Sequence, residues 1–137
     1  MRLDEVMDEV AAVLAQITGL RVFAFPPDDL TDPAGYVSYP LAVDYDQAYQ
    51  RGEDGFRDLP IVLVAGRTTE RSTRDKVAGW AAGDGPQSVK SAMEAHTWAS
   101  CDDLTVTSCE FDVETIAGTP YLAAMFKATV VGPGEED

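Results

Sequence analysis

The sequence predicts an α+β domain of three helices and a four- to five-stranded sheet, and three observations predict it. Apolar residues near the start recur at every third or fourth position, a β-branched run over 59–66 leads into a charged stretch and a glycine turn, and two long alternating runs close the chain. At 137 residues and 45% hydrophobic content the chain is long enough for one domain with a real core and too short for two. Residues 1–132 are read as that domain, and 133–137, with Gly134-Glu-Glu-Asp at the end, as a flexible acidic tail.

In the first element Leu3, Val6, Met7, Val10, Leu14 and Ile17 share one helical face, with Asp4, Glu5, Asp8 and Glu9 mostly off it. The acidic first turns suit the positive end of the helix dipole, and Gly19 after Thr18 marks the stop. Leu20 to Phe25 reads as a short strand, after which Pro26, Pro27, Asp28, Asp29, Asp32, Pro33 and Gly35 break regular structure. A second strand covers Tyr36 to Asp44; its Pro40 lacks an N–H and belongs at an edge or a bulge.

Residues 44–58 form a polar excursion too long for a tight hairpin. Tyr45, Tyr49, Arg51, Glu53, Asp54 and Phe56 are its candidate contact residues, for a partner or for a neighbouring subunit. The alternative is a hairpin tip folded back on its own sheet.

Ile61, Val62 and Val64 suit a buried strand, and Thr68 or Thr69 is placed to cap the helix that follows. Gly83, Asp84, Gly85 and Pro86 end that helix, and Ser88 caps the third. Leu104 to Ile116 and Tyr121 to Gly132 then form a hairpin across Ala117-Gly118-Thr119-Pro120. Alternation puts Thr105, Thr107, Cys109, Phe111 and Val113 on one face of its first strand and Glu110, Asp112 and Glu114 on the other; Leu122, Ala124, Phe126, Ala128 and Val130 align in the second.

The formal net charge of −14 disfavours a sequence-reading nucleic-acid binder, because phosphate contacts dominate that affinity. No run approaches the apolar length of a membrane span, and the first residues lack the order of a secretory signal, so a soluble, unexported protein is expected. Cys101 and Cys109 are too sparse for a disulfide framework and are read as thiols.

His96, the only histidine, falls at helical spacing with Val89, Ala92 and Met93 and is read as a packed or edge residue rather than a catalytic one. No close ligand pair announces a metal site, and the glycine turn at 83–86 lacks the P-loop order, so no metal, cofactor or nucleotide is expected. Arg67, Arg71 and Arg74 are spaced to share a helical face, which is either solvated or a seam against carboxylates of a neighbouring copy. Glu110, Asp112 and Glu114 make an acidic ladder, either an ordinary wet face or the negative wall of a channel that DNA traverses without sticking.

The order of these pieces resembles the tail terminator proteins of long-tailed, non-contractile bacteriophages. The resemblance rests on the first helix ending at Ile17-Thr-Gly-Leu-Arg-Val-Phe, the strand with Tyr39-Pro-Leu and the Arg51-Gly-Glu-Asp loop. It continues through Leu59-Pro-Ile-Val-Leu-Val-Ala-Gly-Arg, the Arg74-Asp75 helix, Gly83-Asp-Gly-Pro-Gln-Ser-Val and the hairpin Ile116-Ala-Gly-Thr-Pro-Tyr-Leu-Ala-Ala. It implies helices packed on a mainly antiparallel sheet, with the chain assembling as a homo-hexameric ring that caps the tail tube in the virion tail. Such a ring stops tube growth and offers its other side to a head-completion protein, with DNA passing through and no enzymatic chemistry. A head-closure or connector neck protein, and an intracellular enzyme using Cys101 or Cys109 with His96, remain the alternative readings.

Overall fold

Twelve residues rich in Val, Met, Leu and Ala form the first helix, α1 (Leu3–Leu14), and bury Val6, Met7, Val10, Val13 and Leu14 along one side. The computed structural model describes residues 1–17, 21–26, 34–45, 53–116 and 118–133, with the backbone alone at Glu53 and Ile116. The remaining elements are β1 (Arg21–Phe23), β2 (Ala34–Val37), β3 (Ala42–Asp44), β4 (Glu53–Arg67), α2 (Arg71–Ala81), α3 (Val89–Ala95), β5 (Asp103–Ile116) and β6 (Thr119–Pro133). Thr18, Gly19 and the acidic tail after Pro133 lie outside the described residues.

One sheet runs in the order β1-β2-β4-β6-β5, with β3 also paired to β4. The β1–β2 pair is parallel and the others are antiparallel. The described strands number six rather than the four to five expected, because the predicted strand 36–44 splits at Pro40. Proline cannot donate to a ladder, so β2 and β3 lie along the same side of β4 with a gap between them, bridged by Ser38 N–H to the Pro60 carbonyl (3.0 Å) and Leu41 N–H to the Arg57 carbonyl (2.8 Å). Opposite the gap β4 carries its own irregularity between Phe56 and Leu59, where Asp58 adopts a φ of 53°.

The excursion over 44–58 is shorter than expected, since β4 already begins at Glu53. Phe56 is 4% exposed and packs in the core, so it is no loop contact residue. Tyr45 remains exposed, Asp54 is half-buried, and Tyr49 and Arg51 fall outside the described residues.

All three helices lie on one face of the sheet. Val10 and Leu14 of α1, Val77 and Trp80 of α2, and Val89 and Met93 of α3 meet Leu59, Ile61 and Leu63 of β4, Phe126 and Val130 of β6, and Leu104 of β5. Each such side chain removed from water contributes about 1.5–3 kcal/mol, which makes this layer the main stabilising element. Gly35 lets α1's side of the sheet close up, because a Cβ there would overlap Leu63 Cδ2.

Helix α2 begins at Arg71 with Glu70 at its N-cap and no side-chain cap, so neither Thr68 nor Thr69 caps it. Ser88 does cap α3, accepting from Ser91 N–H (3.1 Å) while its hydroxyl donates to the Ala82 carbonyl (2.6 Å). The closing hairpin turns between Ile116 and Thr119, where Gly118 supplies a φ of 81° that side-chain-bearing residues rarely adopt.

Candidate functional site

The face of the sheet opposite the helices carries the molecule's most organised surface. Its register builds rows across five strands: Phe23, Tyr36, Val62, Met125 and Glu110 form one, and Arg21, Ala34, Val64, Ala123 and Asp112 the next. Val62, Val64 and Ala123 are buried there although no helix covers them among the described residues, and Tyr36, Tyr121 and Met125 pack against them.

The acidic ladder borders this cluster on β5, with Glu110, Asp112 and Glu114 in register with Met125, Ala123 and Tyr121. Glu110 bonds Lys127 at 3.0 Å, which raises the lysine's pKa chiefly through that hydrogen bond. Asp112 Oδ1 accepts from Val113 N–H at 2.8 Å. Burial raises the Tyr36 phenol, and the charge of Glu114 adds to the rise, so the aromatic cluster and the ladder are electrostatically coupled.

Thr105 belongs to this acidic face as well, in register with Thr129. The expectation that it shares a face with Cys109 fails because a bulge between Val106 and Ser108 inverts the alternation of β5. Beyond that bulge Phe111 and Val113 point to the helix side, yet they are 56% and 51% exposed because the hairpin outruns the helices.

The three arginines do not share one helix. Arg67 ends β4, in register with Tyr121, while Arg71 and Arg74 stand on α2, where Arg74 Nη2 meets Asp75 Oδ1 at 3.1 Å. A second exposed apolar area surrounds a groove of about 440 Å³ between α1 and the chain after β1, lined by Leu3, Met7, Phe25 and Tyr39.

Among the described residues no hydrogen bond joins His96 to Cys101 or Cys109. His96 caps the end of α3, with Nε2 2.7 Å from Glu9 Oε2 and its ring edge-on to Trp98 at 4.7 Å. Glu9 also accepts from the backbone N–H groups of Ala99 and Ser100 and from the Ser100 hydroxyl, tying α1 to the segment after α3. Burial alone would raise the Glu9 pKa, but these hydrogen bonds outweigh it and lower it to about 2.

Burial, reinforced by Glu9, Asp102 and Asp103, pushes the Cys101 thiol up to about 12. Cys109 is shifted upward too, by burial and then Glu110. Thiols held in this form are poor nucleophiles. Among the described residues no group of three His, Cys, Asp or Glu side chains is placed to hold a metal ion, and no helix is long and apolar enough to cross a membrane.

Tyr36, Tyr121 and Met125 were not singled out by sequence. Their signal is the alternation of β6 and β2, and it becomes legible only when the strand pairing sets them around Val62 and Val64. No protein-family model matches the chain, and no curated protein matches it.

Proposed function

We propose that this chain is a structural virion protein, a tail terminator that closes into a ring on the finished tail tube of a long-tailed phage, stops its growth and presents a joining surface to the head. The observation that carries the reading is the open sheet face, where an apolar and aromatic strip is bordered by Glu110, Asp112 and Glu114. Such a face works by contact rather than by bond-making. Turned inward in a ring, the carboxylates of this face that meet no cation, Glu114 foremost, repel the phosphates of passing DNA, so the genome moves through without sticking.

A chain that closes a ring needs two different surfaces, one for each neighbour. Exposed Tyr45 beside the 46–52 segment is the contact we assign to the tube. The protonated thiols of Cys101 and Cys109 fit a protein without covalent chemistry of its own.

Negative-stain electron microscopy of the purified protein, alone and mixed with tail tubes, tests this directly. Rings that seat on tube ends and halt tube growth are expected. A chain that stays monomeric and ignores tube ends would overturn the assignment.

A further inference from the structure

The two ends of the sheet are different in kind. Strand β5 closes one side with fourteen residues, β1 the other with three, and among the described residues no strand covers the outer edge of either. We propose that β1 of one copy pairs antiparallel with the outer edge of β5 in the next, Arg21 beside Asp112, joining the sheets head to tail. The pairing rests on the ring reading above and names the seam within it.

Strand direction allows this join. β5 runs the same way as β4, whereas β1 follows β2 and runs against it. Copies related by rotation about an axis along the strands therefore bring β1 antiparallel to β5, with both open faces on the same side.

Charge selects the occupant. Two β5 edges meeting each other would oppose Glu110, Asp112 and Glu114 to the same three carboxylates, and like charges placed across strands repel. β1 offers the opposite pattern, with Arg21 and Phe23 on the open face and Val22 on the helix side. With Arg21 beside Asp112, Val22 falls next to half-exposed Phe111, and Phe23 next to Glu110, whose charge Lys127 already meets at 3.0 Å.

Asp112 guards the edge in the lone chain. Its carboxylate accepts the Val113 N–H at 2.8 Å and meets no cation among the described residues, so an arriving strand with a positive side chain supplies the missing counter-charge. Arg21 is exposed, its guanidinium 5.7 Å over its own Phe23 ring, and makes no ion pair with a described residue. An uncharged strand would leave that carboxylate unmatched.

Charge reversal and disulfide trapping test the seam in the full chain. Arg21→Glu and Asp112→Arg should each abolish the ring in light scattering and electron microscopy, alone and with tail tubes, while the double reversal restores it; circular dichroism checks that all three stay folded. Arg21→Cys with Asp112→Cys, oxidised, should give a ladder of covalent multimers that reducing agent collapses. An internal bond cannot imitate that ladder, because the two positions stand on opposite sides of the sheet. Rings unaltered by both single reversals, with no covalent ladder, would sink this seam and leave the ring standing. A wild-type chain that forms no ring even with tubes would sink both.

Discussion

The two faces of one sheet are built from the same strands and do different work. On the helix side Leu59, Ile61, Leu63, Leu104 and Phe126 disappear beneath three helices. On the other side Val62, Val64 and Ala123 are almost as buried, at 5%, 1% and 2% exposure, and among the described residues the side chains packed against them are Tyr36, Tyr121 and Met125. Dryness on the first face comes from helices packed on the sheet, and on the second from a roof of side chains that the sheet's own strands supply. Damage to the first should unfold the protein, whereas changes at the border of the second should alter its contacts and charge.

The largest effect is expected at Phe126, among the largest fully buried side chains. Phe126→Ala should cost about 3–5 kcal/mol in urea unfolding, through lost burial and the cavity left behind. A cost near that of a surface substitution would mean that the helix side is not the stabilising one. Next comes Gly35→Ala, whose new methyl would press into Leu63 and cost about 1–3 kcal/mol by the same measurement.

Glu9→Gln comes third, at about 1–2 kcal/mol, because a charged acceptor serving several donors becomes a neutral one. Its sign in pH is fixed by the depressed pKa. The native carboxylate's contribution is complete above the ordinary value of 4.5 and is lost as pH falls toward about 2, so the variant should flatten the acid limb of the stability profile.

The smallest change belongs to the open face. Glu114→Gln should stay within about 0.5 kcal/mol of wild type, as exposed substitutions do. It should nevertheless lower the Tyr36 phenol pKa in ultraviolet titration, since one of the two causes of its rise is removed and burial remains. An unmoved phenol would deny the coupling between roof and ladder.

Much of this architecture can be read along the chain because its signals are local. The period of Val6, Val10 and Leu14 is set by a helix, Gly118 by a tight turn, and Ser88 by the free N–H groups it caps. What the residues alone do not disclose depends on pairing. The bulge beside Thr107 inverts β5 without a glycine or proline at that point, so Thr105 is assigned to the wrong face from alternation alone. Arg67, spaced as if helical, belongs to a strand because β6 extends β4 as far as Tyr121. Phe56 reads as a loop aromatic amid charges until β3 and β6 flank it and turn it inward. The candidate surface is legible only by halves: the ladder follows from Glu110, Asp112 and Glu114, while its aromatic neighbours come from strands remote in sequence.

The grip of Glu9 on Ala99 and Ser100 has a kinetic corollary. Both amides sit in irregular backbone after α3, where deuterium would ordinarily enter quickly, yet each donates to a carboxylate on α1. Their protons can leave only when the helix lets go, so two loop amides become slow clocks for the undocking of α1 from the rest of the molecule.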